Sequence, residues 1–194
     1  MNLKTALPLL ILLSACGQKT ETAVEAPAKE APVAGVEFID YTPPAGTYSC
    51  RAPAHWKGDE TTDYGPDEVS FIGAVTKGLA METKPVSISI SKYPNKSDKF
   101  VDAEVYAKSW KEVSGKPVVY EKKNVEGKTV IRFTRERAAR DMHNKKAPRP
   151  IREDVALVVV PGGFFEITHS GPVETYRNTL PVFEEVVRSF KPKS

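Results

Sequence analysis

The chain predicts an α+β fold, a twisted and mainly antiparallel sheet with helices packed on it. Three observations carry that expectation. Segments of strand character outnumber helical ones, and most are joined by short hairpin connections. Residues 155–160 are apolar at every position, which an antiparallel strand needs only where both of its faces are covered. Two segments, residues 98–113 and 176–190, space their apolar side chains by three and four.

In chain order, residues 38–44 are aromatic and broken by proline, an extended lead-in. Tyr48, Ser49, Cys50, Arg51 and Ala52 read as a strand that ends at Pro53, with Trp56 as an apolar plug. Residues 57–67 are polar and carry Gly58, Gly65 and Pro66, so a loop is expected. A second strand follows over 68–74 and a turn region over 78–85. Val86, Ile88 and Ile90 alternate with Ser87, Ser89 and Ser91, giving a strand with one dry face. Ser97 or Asp98 can cap a helix carrying Phe100, Ala103, Tyr106, Ala107, Trp110 and Val113, which Gly115 and Pro117 stop. Residues 118–124 and 128–137 flank Val125, Glu126 and Gly127, a short connection, and read as a hairpin. Pro161, Gly162 and Gly163 turn the chain from residues 155–160 into a strand over 164–169. Tyr176, Leu180, Phe183, Val187 and Phe190 then mark a helix expected to begin near Thr179 or Leu180. That start would put Pro181 in the first turn, where a missing N–H costs little.

A strand thus runs into Pro53-Ala54-His55-Trp56, and several sheet strands, a mid-chain helix, a hairpin and a final strand pair follow. A terminal helix closes in Val186-Val187-Arg188-Ser189-Phe190. Over residues 48–190 this order resembles the PsbP-like superfamily. The resemblance implies an α/β/α sandwich and an accessory, binding or assembly role rather than catalysis. No metal-ligand set of the photosystem members finds a match in this chain.

The amino terminus has its own chemistry. Lys4 precedes an apolar run over residues 6–13, too short to span ~30 Å of hydrocarbon, which takes about 20 residues. Leu13-Ser14-Ala15-Cys16 resembles the lipobox of bacterial lipoproteins. That resemblance implies cleavage before Cys16, a diacylglyceryl thioether on its sulfur and acylation of the new amino terminus. Several acyl chains at about 0.8 kcal/mol per buried CH₂ hold a protein firmly where one does so only marginally. Gly17, rather than Asp, resembles the outer-membrane sorting class and implies the periplasmic face of that membrane. Residues 17–36 contain Ala, Pro, Glu, Thr and Lys without an aromatic side chain, the composition of a flexible linker spanning about 25 Å. The expected organisation is a signal peptide over 1–15, a lipidated cysteine and linker over 16–36, and a single α+β domain over 37–194.

The search for chemistry yields little. Lipidation of Cys16 leaves Cys50 without a partner, and a free cysteine in a strand is most often buried and inert. His55, His143 and His169 form no His-x-x-x-His pair and no Cys-x-x-Cys occurs, so zinc lacks support and no cofactor is expected. Cys50 and His55 offer a nucleophile and a base without an identifiable orienting acid or oxyanion donor, and no catalytic residue is assigned. Gly162 and Gly163 fit a strand turn rather than a phosphate loop, and Ser170-Gly171 lacks the context of a nucleophile elbow.

Charge is segregated. Net charge is +3 over the chain, yet residues 132–152 hold eight basic residues against Glu136 and Asp141. They are Arg132, Arg135, Arg137, Arg140, Lys145, Lys146, Arg149 and Arg152. Strand alternation puts Arg132 on one face and Arg135 with Arg137 on the other, before a long basic loop. Such a surface can bind lipid phosphates, anionic glycans or an acidic envelope protein; the competing reading is a solvated loop. The compartment disfavours nucleic acid. The function expected is that of a membrane-anchored envelope lipoprotein acting as a non-enzymatic accessory or binding domain. The alternatives are an envelope enzyme using Cys50 or a histidine, and a purely structural envelope component.

Overall fold

A computed structural model describes residues 35–61, 68–72, 86–96, 102–111, 115–139 and 149–193. The architecture is α+β. Seven strands form an antiparallel sheet in the order β3-β4-β5-β9-β8-β7-β6, and a small sheet has the order β1-β2-β10. The strands are β1 (Phe38–Tyr41), β2 (Tyr48–Pro53), β3 (Lys57–Thr61), β4 (Glu68–Ile72), β5 (Ser87–Pro94), β6 (Tyr120–Val125), β7 (Lys128–Ala139), β8 (Arg149–Val160), β9 (Gly163–Pro172) and β10 (Lys191–Pro192). The helices are α1 (Ala103–Ser109) and α2 (Val173–Ser189).

The uniformly apolar run is covered on both faces over residues 155–158, while Val159 is exposed and Val160 half-buried. In β8, Val155 and Leu157 join Ile131, Phe133 and Phe164 in a core beneath α1, which adds Ala103, Tyr106 and Ala107. Their neighbours Ala156 and Val158 join Ile88, Ile90, Val130, Phe165 and Ile167 in a second core. That core is closed by Val182, Phe183, Val186, Val187 and Phe190 of α2 and by Tyr48, Cys50 and Ala52 of β2. The central strands are therefore dry on both faces, and β5 buries Ile88 and Ile90 while Ser87, Ser89 and Ser91 are half-buried opposite.

Two turns explain their glycines. Glu126 and Gly127 adopt φ 48° and 80°, the pair of left-handed residues that lets a two-residue loop match the twist of β6 and β7. Asn124 Oδ1 accepts from the Gly127 N–H at 2.9 Å. Gly163 begins β9 where a Cβ would fall 2.3 Å from the Tyr93 carbonyl oxygen, so only glycine permits β5 to pass that close.

Several elements depart from the sequence expectation. Residues 57–61 are not loop but strand β3, paired with β4 from Lys57 opposite Ile72 to Thr61 opposite Glu68; pairing overrides a weak local preference. The lead-in contains β1, paired with β2. The α1 cap is Asp102, whose Oδ1 accepts from the Glu104 and Val105 N–H groups at 2.8 and 2.9 Å; Ser97 and Asp98 lie outside the described residues. The helix ends at Ser109, with Trp110 extended at its C-cap.

The largest correction concerns α2, which begins at Val173 and carries Pro181 in its interior. Pro181 sits on the solvent face, so water can take the place of its missing N–H at the exposed Arg177 carbonyl. A cost of about 3 kcal/mol is outweighed by burying Tyr176, Val182, Phe183, Val186 and Val187, at about 1.5–3 kcal/mol for each large apolar side chain. Lys128 Nζ donates to the Arg188 and Phe190 carbonyls at 3.0 and 2.6 Å, satisfying the helix end.

Candidate functional site

The described parts of the basic segment lie in the antiparallel pair β7 and β8, and their register decides what the arginines meet. Arg135 lies opposite Glu153, Thr134 opposite Asp154, and Glu136 opposite Arg152. Arg140, Lys145 and Lys146 lie outside the described residues, as does the Arg149 side chain at the start of β8. Of the eight candidates, Arg132, Arg135, Arg137 and Arg152 can therefore be followed to their partners. Alternation puts Arg132 on the α2 face and Arg135 with Arg137 on the α1 face, and Arg152, through β8, joins the α2 face.

On the α1 face, a closed ion network surrounds Glu153. Its carboxylate accepts from Arg135 Nε at 2.5 Å and Arg137 Nε at 2.7 Å, and from the Ser170 hydroxyl at 3.2 Å. Burial pushes this carboxyl upward, but the two guanidinium groups outweigh it and hold Glu153 below the usual carboxylate range. Arg135 also lies 3.6 Å from Glu166 and stacks 3.7 Å above the Trp110 ring. Burial opposes its charge as well, and the Glu153 and Glu166 carboxylates more than restore it. Glu166 accepts from the Tyr106 phenol and, at 2.8 Å, from Thr168. Arg135 Nη1 and Trp110 Nε1 are buried without a hydrogen-bond partner among the described residues.

The α2 face is different, because it opens into a cleft of about 430 Å³ between α2 and the strands β6, β7 and β8. Arg132 makes a two-pronged pair with Glu184, Nη1 and Nη2 each 2.8 Å from a carboxylate oxygen, and lies over the Phe183 ring at 5.7 Å. Asp154 accepts from the Thr134 hydroxyl at 2.6 Å; among the described residues it has no ion-pair partner. Burial raises its carboxyl above the ordinary value despite the Thr134 bond and the charge of Arg152. Arg152 is 3.6 Å from Glu136 and 5.2 Å from the Tyr176 ring centroid.

The remaining sequence candidates are separated from one another. Cys50 is buried in the core beneath α2, and burial pushes its thiol up to about 12. Almost no thiolate exists at neutral pH, so the nucleophile proposed for an enzyme is inert in this fold. His55 stands exposed at the surface, 3.5 Å from Glu37. His169 is fully buried with Nε2 2.9 Å from the Thr179 hydroxyl, and burial lowers it to about 4. His143 lies outside the described residues. Among those described, no three His, Cys, Asp or Glu side chains are placed to hold a metal, and no helix is long and apolar enough to cross a membrane.

The residues missed by sequence reasoning are the acids, namely Glu153, Asp154, Glu166 and Glu184. A signal for the first two was present, since they follow Arg152 directly; pairing β8 with β7 sets them against the arginines. Glu166 and Glu184 had no comparable signal, because they reach the arginines from β9 and α2.

No protein-family model matches the chain, and no curated protein matches its sequence. Solved structures do. The Saccharomyces cerevisiae Ran-binding protein Mog1p is similar at TM-score 0.51 and 11% identity, over 80% or more of each chain (81% of this one, 96% of Mog1p), which shows a shared fold. Cyanobacterial PsbP from Synechocystis sp. PCC 6803 aligns at TM-score 0.49 and 14% identity over 87% of this chain and 100% of that one. LpqN of Mycobacterium tuberculosis, described as involved in cell envelope biogenesis, aligns at TM-score 0.48 and 9% identity over 82% and 92%. The chain spans 48% of the length of a longer Bacteroides thetaiotaomicron protein that it matches at TM-score 0.44 and 10% identity over 80% of its own residues.

Proposed function

We propose that this chain is a lipid-anchored envelope protein whose folded domain is a non-enzymatic binding or accessory module. The observation that carries the binding half is the cleft on the α2 face, a concave site built from rigid strands and a helix in the size range of ligand pockets. The anchoring half rests on Leu13-Ser14-Ala15-Cys16 and the aromatic-free linker behind it. Mog1p, which shares the fold, is a Ran-binding protein, so the fold serves protein binding in that case. In this reading the protein sits on the periplasmic face of the outer membrane. An envelope protein, glycan or lipid of negative charge meets Arg140, Lys145, Lys146 and Arg149, since the other four basic residues are engaged by carboxylates.

Metabolic labelling with palmitate tests the anchor: the wild type takes up label and Cys16→Ala does not. An unlabelled wild type removes the lipoprotein reading. Crosslinking in intact envelopes then compares the wild type with a variant carrying Arg140→Glu, Lys145→Glu, Lys146→Glu and Arg149→Glu. Loss of a partner from the variant is expected, and identical partner sets would remove the basic surface.

A further inference from the structure

The charged lining of the cleft is mainly acidic, opposite in sign to the basic sequence segment. It consists of Glu121, Asp154 and Glu184 against Arg132. Two of those acids are already matched. Glu184 engages both Nη atoms of Arg132, and Glu121 lies 2.6 Å from Lys123 on the same strand. Asp154 is the remainder, a half-buried carboxylate on the cleft wall held by one threonine hydroxyl. The charges of Arg152 and Arg132 favour its ionised form without offsetting burial, and among the described residues neither guanidinium forms an ion pair with it. Arg132 is turned to Glu184, and Arg152 reaches Glu136 and the Tyr176 ring. A carboxylate withdrawn from water without an ion-pair partner is unfavourable, and a cation seated against it would remove that penalty.

The rest of the cleft specifies what the cation is attached to. Leu180 of α2, half-buried, gives the cleft an apolar wall above the buried Phe183, and Val119, 86% exposed, also lines it. Resting on the reading of this domain as a binding module, we propose that the cleft binds an ammonium or guanidinium group carried on a short apolar stem. Asp154 is its counter-ion, and Leu180 and Val119 pack the stem. This chemistry occurs both in small organic amines and in the lysine or arginine side chains of a protein.

Binding to the full-length chain in detergent is measured by calorimetry with n-butylammonium and n-butylguanidinium. Butyrate and 1-butanol serve as charge controls, and acetyl-Gly-Arg-Gly-amide as the peptide-borne cation. The cations bind and the controls do not; peptide binding assigns the cleft to a partner's side chain, and its failure beside bound butylguanidinium assigns it to a small amine. Asp154→Asn keeps the acceptor for Thr134 and weakens cation binding about tenfold, the scale of one lost charge-assisted contact. Val119→Lys, at a position too exposed to affect folding, weakens it by a similar factor through repulsion of the cation. Butyrate binding as tightly as butylammonium, or two variants with unchanged affinity, would overturn the assignment. Failure here with palmitate labelling and crosslinks intact removes the cation site and leaves the lipid-anchored module standing.

Discussion

The two faces of the β7–β8–β9 region carry similar residues and solve their electrostatics in different ways. Under α1, Arg135 and Arg137 converge on Glu153, with Glu166, Tyr106, Thr168 and Ser170 completing a network whose centre, Glu153 and Arg135, is largely buried. Under α2, Arg132 and Glu184 pair at the rim of an open cleft and Asp154 is left with a single hydroxyl. A side chain only 10% exposed must be matched where it stands, because desolvation is costly and attraction within the protein is strong. A pair that is 23% and 39% exposed keeps part of its hydration and leaves room for a ligand.

Breaking the closed face has the largest effect. Glu153→Leu leaves Arg135 buried without its principal carboxylate, and urea denaturation is expected to show a loss of about 3–5 kcal/mol. The double change Arg135→Met with Glu153→Leu recovers only part of that loss, since the apolar pair carries no desolvation penalty but the buried Glu166 loses its guanidinium partner. Next comes His169, in the α2-face core, whose pKa falls from 6.5 to about 4 on burial. As pH drops below 6.5 the unfolded chain binds a proton that the folded chain refuses, so stability falls until about pH 4. The decline attributable to this group is about 3 kcal/mol. The difference between wild type and His169→Leu in urea titrations from about pH 7 to pH 4 isolates it from the carboxylates titrating in the same range. The smallest effect belongs to the cleft rim, where Glu184→Gln is expected to cost about 1 kcal/mol or less by the same measurement. A cleft variant as damaging as Glu153→Leu would erase the distinction between the faces.

Much of the fold was legible in local patterns. Val86, Ile88 and Ile90 declare a face because side chains alternate along a strand, and the unbroken run over residues 155–160 announced two covered faces before any partner was known. The hairpin at Glu126-Gly127 was equally local. Strand β3 escaped notice because its polar sequence has no pattern of its own and is held by pairing with β4. The start of α2 escaped because Pro181 argues against a helix interior unless its exposure is known.

The site was less legible, for a reason that lies in charge. A run of eight basic residues is a property of the chain, but whether it forms a basic surface depends on what folding brings opposite. Glu153 reaches Arg135 through strand register, Glu166 through β9, and Glu184 through the turn of α2 past Arg132. By itself the sequence determined the periodicities, the turn residues and the lipobox-like amino terminus, all set by neighbours in the chain. Only the tertiary structure decided which arginines are neutralised and which carboxylate is left over. Coulombic pairing and desolvation act across space, and their partners here stand from 16 to 52 residues apart.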